Sequence, residues 1–196
     1  RIPDAVIVEG PLSGGHQGVS YEDCFKPEHQ LEAVVPEVIE ESKKWGDIPI
    51  VAAGGIWDRK DIDKMLDLGA SGVQMGTRFL GAKECDATYY NELMLRVKKE
   101  DIELIKSPVG YPARAVITGI VKGLREGRPP KIACVSNCVS PCHRGEEAKK
   151  VGYCIADGLG DGYLGDPING LYFTGSNGYR IEKIQNVQEI LDELSR

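Results

Sequence analysis

The stretch IPIVAAGGIWDRKDIDKMLDLGASGVQMGTRFL, residues 48–80, decides the fold of this chain. It begins with a short apolar run rich in β-branched residues, at 48–53, which is typical of a strand buried on both faces. A second run of this kind starts at Gly72. We predict a short helix between the two runs. Such a strand–helix–strand unit predicts two adjacent parallel strands joined by a right-handed crossover.

The helix of this unit has clear signals at both of its ends. Asp58 is placed to cap the N-terminus, and Asp61, three positions later, completes a capping box. Gly69 lies where helices commonly end with one residue in the left-handed conformation that glycine adopts easily. We therefore predict a helix between Asp58 and Gly69.

Each of the two strands ends in a turn of small residues. Gly54 and Gly55 follow the first strand, and Gly76 and Thr77 follow the second. The carboxyl ends of parallel strands lie at one edge of the sheet, where α/β folds bind ligands. Backbone N–H groups in such turns bind anions closely, and Thr77 adds a hydroxyl donor. Two turns of this kind after the last two strands are the usual phosphate site of a (β/α)₈ barrel, although the glycines also fit simple tight turns.

A further strand is predicted at residues 4–9, and it also ends in glycines. The segment that follows it contains Gly14, Gly15 and His16. An imidazole exchanges its proton near neutral pH, so a histidine at the ligand end of a strand is suited to general base catalysis. We expect His16 to be the catalytic group. The alternative is a loop histidine bonded to the backbone or to water.

Composition and charge restrict the class of protein. The chain has 196 residues, of which 41% are hydrophobic, and a net charge of −6, which is ordinary for a globular protein. The acidic balance argues against nucleic acid or an anionic membrane as a partner, and no apolar run is long enough to span a bilayer. Six cysteines are too few for a disulfide scaffold, so we expect reduced thiols and a cytoplasmic protein.

The fold class that these observations predict is α/β. A complete TIM (β/α)₈ barrel needs about 250 residues, whereas only three barrel-like strands are visible here. We expect residues 1–85 to be the C-terminal part of such a barrel, with partner strands preceding Arg1. Residues 86–196 are expected to form a mainly helical, cysteine-rich region with loops. A three-stranded slice exposes apolar edges, which predicts either a missing N-terminal part or a homo-oligomer.

Several weaker signals place other elements. We expect Pro36 in the first turn of a helix and Asp86 at the N-cap of another. Asn186 is placed to cap a final helix, with Glu189 at the third position. Residues 105–120 indicate a loop with a short extended piece, and the Gly- and Asp-rich residues 157–166 indicate a loop.

Four cysteines form a second candidate site: Cys134, Cys138, Cys142 and Cys154. Thiolates at such spacing can hold zinc or an iron–sulfur cluster, which would make this segment a metal-binding interaction module. The spacing C-x3-C-x3-C matches no common zinc ribbon or ferredoxin pattern, and ordinary buried thiols are the alternative.

Three segments together resemble the signature of the nitronate monooxygenase family, formerly called 2-nitropropane dioxygenase. FMN-dependent enoyl-ACP reductases of the same fold are grouped with that family. The segments are EGPLSGGHQG at 9–18, VAAGGI at 51–56 and QMGTRF at 74–79. They occur in the order and spacing of the family. The resemblance covers residues 1–85 closely and the rest of the chain loosely.

The resemblance implies a (β/α)₈ barrel with FMN at the C-terminal ends of the strands, and it implies that the three strands here are the last three. Gly14 and Gly15 would lie along the flavin and its ribityl chain. The phosphate would be held by Gly54, Gly55, Gly76 and Thr77. His16 matches the catalytic histidine of the family, which takes the proton α to the nitro group or binds the substrate anion.

We therefore expect an FMN-dependent oxidoreductase that oxidises alkyl nitronates with O₂, as a nitronate monooxygenase does. One alternative is an FMN-dependent enzyme that reduces enoyl thioesters with NAD(P)H, as the enoyl-ACP reductases do. Another is a non-flavin barrel enzyme whose turns bind the phosphate of its substrate. Flavin absorbance of the complete protein separates the flavin enzymes from the last alternative. We expect the chain by itself to be inactive.

Overall fold

A computed structural model of the chain describes residues 2–132 and 146–195. Among these residues the strands are β1 (Val6–Glu9), β2 (Gly15–His16), β3 (Ile50–Ala53), β4 (Gly72–Gln74), β5 (Ile102–Ile105) and β6 (Ala113–Val116). The α-helices are α1 (Leu31–Ser42), α2 (Arg59–Asp67), α3 (Thr88–Met94), α4 (Gly119–Arg125), α5 (Glu146–Val151), α6 (Ile155–Tyr163) and α7 (Val187–Leu194). Short 3₁₀ helices cover Asp23–Phe25, Pro27–His29, Lys43–Trp45, Thr77–Gly81, Lys99–Asp101 and Gly178–Arg180.

The first sheet is parallel and has the order β1-β3-β4, as predicted. Helices α1 and α2 pack against one face of it through a core that includes Val8, Val35, Ala52 and Met65. On β1 the neighbouring side chain points the other way, and Ile7 is 55% exposed. One face of the sheet is therefore covered by helices. The opposite face exposes an apolar residue, Ile7, at β1.

Helix α2 begins and ends as its sequence predicts. The Asp58 carboxylate accepts hydrogen bonds from the N–H groups of Lys60 and Asp61, and the Asp61 carboxylate accepts one from the N–H of Asp58. Gly69 has φ 98°. The predicted capping box and glycine terminus are both confirmed. They could be predicted because they depend only on residues close in sequence.

The prediction for Pro36 was wrong. Helix α1 begins at Leu31, so Pro36 lies inside it. Leu31 and Val35 are spaced by one helical turn and are both buried in the core against β1 and β3. We attribute the early start to this burial, which outweighs the hydrogen bond that a proline cannot make.

A second sheet is antiparallel and has the order β2-β6-β5. Strand β6 is the short extended piece expected within residues 105–120, and all four of its residues are buried. Strand β2 lies in this sheet with two strands from beyond residue 85, and the domain boundary at 85 stays a prediction.

Two further local predictions were wrong, and one was confirmed. The cap of α3 is Ala87 rather than Asp86. Helix α6 occupies most of the predicted loop at 157–166, and two of its glycines lie against neighbouring residues. A Cβ on Gly162 would lie 2.6 Å from the carbonyl oxygen of Leu171, and one on Gly158 would lie 2.8 Å from Cδ1 of Ile120. These glycines allow close packing and do not break the helix. Helix α7 has the predicted capping box between Asn186 and Glu189.

In the part of the chain that the structure describes, no helix has both the length and the apolar composition needed to cross a membrane.

Candidate active site

A cavity of about 300 Å³ lies at the carboxyl ends of the three parallel strands. Its lining includes five of the predicted cofactor-binding residues: Gly14, Gly54, Gly55, Gly76 and Thr77. The two glycine turns therefore meet in one cavity. Gly15, the sixth, lies in β2 against the ring of Phe173, so its expected contact with a flavin stays a prediction.

The turn after β3 has a conformation that requires glycine. Gly54 and Gly55 have φ values of 94° and 80°, which side chains rarely adopt. A Cβ on Gly54 would lie 2.7 Å from the carbonyl oxygen of Gly10, and one on Gly55 would lie 2.8 Å from Cβ of Leu12. This turn is therefore packed tightly against the turn after β1.

The N–H groups of Gly54, Gly55, Gly76 and Thr77 donate to no acceptor among the described residues. Gly54, Gly55 and Thr77 are half-buried and Gly76 is exposed. Unpaired backbone N–H groups that meet at one cavity suit an anionic ligand. The residues present therefore fit a phosphate group. Thr77 also begins the 3₁₀ helix Thr77–Gly81, which adds to the set of donors at this edge of the sheet.

The sequence interpretation missed a fourth wall of the cavity, formed by residues 174–177. The N–H of Gly175 donates to Oγ1 of Thr77 at 2.8 Å, and the N–H of Ser176 donates to the carbonyl oxygen of Leu12 at 3.0 Å. Nδ2 of Asn177 donates to the carbonyl oxygen of Gly55 at 2.7 Å. Because the Thr77 oxygen accepts from Gly175, its own proton remains available to a ligand. A run of small residues after an apolar segment was the signal for this wall.

His16 lies beside this cavity rather than in it. It lines a neighbouring cavity of about 270 Å³ that shares Glu9 and Ser13 with the first one. Its ring packs edge-on against Phe173, with centroids 5.3 Å apart, and its Nε2 is 2.8 Å from Oγ of Ser107. Burial lowers the pKa of His16, so the imidazole is neutral at pH 7 and able to accept a proton.

Two buried polar side chains hold the segment between β1 and β2, and sequence reasoning found neither. Gln17 donates through Nε2 to the carbonyl oxygens of Ser13 and Gly15. Arg114 donates to the carbonyl oxygen of Pro11 at 2.8 Å, and burial lowers the pKa of its guanidinium. These contacts fix the backbone that separates the two cavities.

The metal or iron–sulfur site expected at four cysteines is not supported. Cys134, Cys138 and Cys142 lie outside the described residues. Cys154 is buried at the start of α6, and burial raises the pKa of its thiol. Within residues 2–132 and 146–195 no three His, Cys, Asp or Glu side chains are grouped to hold a metal ion.

An added methyl group should affect the free energy of unfolding differently at the two turns. Gly54→Ala should lower the free energy of unfolding by about 2 kcal/mol, because the new Cβ meets backbone and the φ is unfavourable. Gly76→Ala is the matched control, since Gly76 has φ −114° and open space at its Cβ position. Its effect should stay within about 0.5 kcal/mol. Urea denaturation measures both, and equal losses would contradict the tight contact at Gly54.

Solved structures resemble the whole of this fold. FabK from Thermotoga maritima is 27% identical in sequence and has a TM-score of 0.71. The match covers 98% of this chain and 53% of the FabK chain. The nitroalkane oxidase from Streptomyces ansochromogenes is 25% identical and has a TM-score of 0.63. The match covers 98% of this chain and 50% of the oxidase chain.

Among curated proteins, a probable nitronate monooxygenase from Staphylococcus aureus strain Newman is 34% identical over 119 residues, which is 58% of this chain and 31% of that protein. The matched part is thus about a third of that relative. The nitronate monooxygenase family matches this chain over residues 1–196. Because this match covers the whole chain, the protein belongs to the nitronate monooxygenase family.

Proposed function

We propose that this chain holds the phosphate of FMN and supplies the catalytic histidine of a nitronate monooxygenase. The observation that carries this proposal is the pair of glycine turns whose unpaired N–H groups meet in one cavity at the ends of adjacent parallel strands. Family membership supports an enzyme of the oxidoreductase class. The substrate of the complete protein is proposed to be an alkyl nitronate, with O₂ as the electron acceptor.

The phosphate would be held by backbone donors at Gly54, Gly55 and Gly76 and by the hydroxyl and N–H of Thr77. When bound, FMN supplies a centre that accepts electrons from a carbanion. Asn177 and Gly175 hold the turns in place from the opposite wall. Because these donors are fixed before the ligand arrives, little reorganisation is needed on binding.

His16 is proposed to bind or deprotonate the substrate. A nitroalkane has a proton on the carbon next to the nitro group, and a neutral imidazole can take it. A nitronate has already lost that proton, so His16 would serve there only to hold the anion. The backbone of residues 13–15 runs between the two cavities, so a substrate at His16 would lie next to the cofactor cavity.

The exposed face at β1 is proposed to be covered by side chains of the remaining strands of the barrel. Ile7 is 55% exposed there, and the chain covers only about half of the solved neighbours, 53% of FabK and 50% of the nitroalkane oxidase. Pairing with a second copy of this chain is the alternative for the same face. No feature of the described residues favours an enoyl-ACP reductase or a non-flavin enzyme over the proposed activity. A cytoplasmic location also stays a prediction.

His16→Ala in the complete protein should separate the two roles of the histidine. Turnover of a neutral nitroalkane should fall by about 10²- to 10⁴-fold, because the general base is lost. Bound FMN should remain, since backbone groups hold its phosphate. The same variant assayed with a preformed nitronate is the internal control. Its turnover of the nitronate should fall less than its turnover of the nitroalkane. Unchanged turnover of the nitroalkane, with flavin content confirmed by absorbance, would exclude His16 as the base.

Residues 1–196 alone should bind FMN weakly and show no turnover. The donors at the glycine turns bind only the phosphate, and water competes for each N–H group. The isoalloxazine ring would lack the contacts that earlier barrel strands supply in the proposed complete protein. Titration of the chain with FMN, followed by flavin fluorescence, measures this. Micromolar affinity with a perturbed flavin spectrum would show that the flavin site is complete in this chain.

A further inference from the structure

Two arginine side chains stack on the indole ring of Trp57. Cζ of Arg78 lies 4.8 Å from the centroid of the ring, and Cζ of Arg180 lies 5.1 Å from it. A guanidinium group at this distance is attracted by the electrons of the ring, and tryptophan binds cations better than the other aromatic side chains do. Trp57 is only 6% exposed, and such contacts are stronger where water is excluded. These three side chains are called the Trp57 cluster below.

Each guanidinium group of the Trp57 cluster is also held by a carboxylate on another element. Nη2 of Arg180 donates to Oδ2 of Asp58, the N-cap residue of α2, at 3.0 Å. Nη2 of Arg78 donates to Oε2 of Glu193, in α7, at 2.5 Å. Two cations can therefore approach one ring, because each of them has its own counterion.

Apolar packing accounts for the burial of the indole but not for the charged groups on it. Trp57 belongs to a core cluster that includes Leu93 and Met94. A ring in such a core needs no cation, and arginine is almost never deeply buried unless it is paired. The side chain of Arg78 is nevertheless only 11% exposed. What its contact adds to the core is a link between two elements, the 3₁₀ helix that begins at Thr77 and the turn that precedes α2.

Each member of the Trp57 cluster follows one wall of the anion cavity closely in sequence. Three of the four walls end at Gly55, Thr77 and Asn177, and the cluster residues follow them by two, one and three positions. The chain has little freedom over these short distances, because residues 77–81 and 178–180 form 3₁₀ helices and residue 58 caps α2. A displacement of any cluster residue would therefore move the wall to which it is joined. The cluster residues themselves lie outside the lining of the cavity.

We infer that Trp57, Arg78 and Arg180 are positioning residues of the anion site, which hold three of its walls at the spacing that a phosphate group requires. Donors that are fixed before the ligand arrives need little reorganisation on binding. The affinity of such a site therefore depends on the groups that hold its donors in place. The part of this inference that concerns phosphate rests on the proposed function. The spacing of the walls rests on the contacts at the ring alone.

Hydrogen exchange of the chain without ligand, followed by NMR, tests the positioning role. The N–H of Gly175 and Nδ2 of Asn177 each donate to an oxygen of another wall, so both report on the contact between walls. Arg180→Gln removes one cation from the ring and should accelerate exchange at both groups by about two- to fivefold, the effect of one partly exposed cation–π contact. The amide of Ala52, in the middle of the parallel sheet, should keep its rate. Equal acceleration at Ala52 would indicate a general loss of stability and would contradict a local role.

The matched control is Arg59→Gln. Arg59 lies at the start of α2 and pairs with Asp63 at 2.6 Å, so its substitution also removes one positive charge and one ion pair. This control should leave exchange at both reporting groups unchanged. Trp57→Phe keeps an apolar ring that binds cations less strongly, and it should act in the same direction as Arg180→Gln. Exchange rates in Arg180→Gln that match those in Arg59→Gln would overturn the inference.

Titration with inorganic phosphate tests the link between the Trp57 cluster and the anion site. The dissociation constant, measured from the amide shifts of Gly54 and Thr77, should rise by about two- to fivefold in Arg180→Gln and stay unchanged in Arg59→Gln. Salt at about 0.15 M screens exposed charges that lie beyond roughly 8 Å, which limits the effect of lost charge alone. Equal dissociation constants in the two variants would overturn the inference. If phosphate leaves these amides unmoved in the unsubstituted chain, the proposed function fails, and the exchange rates still decide whether the cluster positions the walls.

Discussion

The close contact between the backbone at Gly14 and the backbone at residues 174–175 is the constraint on which the rest of the site depends. A Cβ on Gly14 would lie 2.6 Å from the carbonyl carbon of Thr174. This approach brings the N–H of Gly175 to Thr77 and the side-chain amide of Asn177 to Gly55. Residues that lie about 100 to 160 positions further along the chain thus hold the turns that follow the parallel strands.

This arrangement divides the proposed chemistry between backbone and side chains. The phosphate side is made mostly of N–H groups, which have no charge to titrate and little freedom to move. The proton side is made of His16 and its partners, where burial keeps the imidazole neutral. The two sides share Glu9 and Ser13, so the segment after β1 connects electron transfer to proton transfer in the proposed reaction.

Elements that depend on nearby residues could be predicted from the sequence, and elements that depend on distant contacts could not. The strands around α2 and its capping box follow from signals within residues 48–80. The interior glycines of α6 indicate a loop when only the sequence is considered, because the residues against which they pack lie elsewhere in the chain. The contact of His16 with Ser107 spans 91 positions, so no local pattern indicates it.

The central claim is that the two glycine turns form one anion site, and the backbone amides report on it directly. The measurement is a titration of the ¹⁵N-labelled chain with inorganic phosphate, followed by the amide signals of each residue. The account predicts that the N–H signals of Gly54, Gly55, Gly76 and Thr77 shift together with a single binding constant. Shifts confined to exposed cationic residues such as Lys43 and Lys44, with these four amides unmoved, would contradict it.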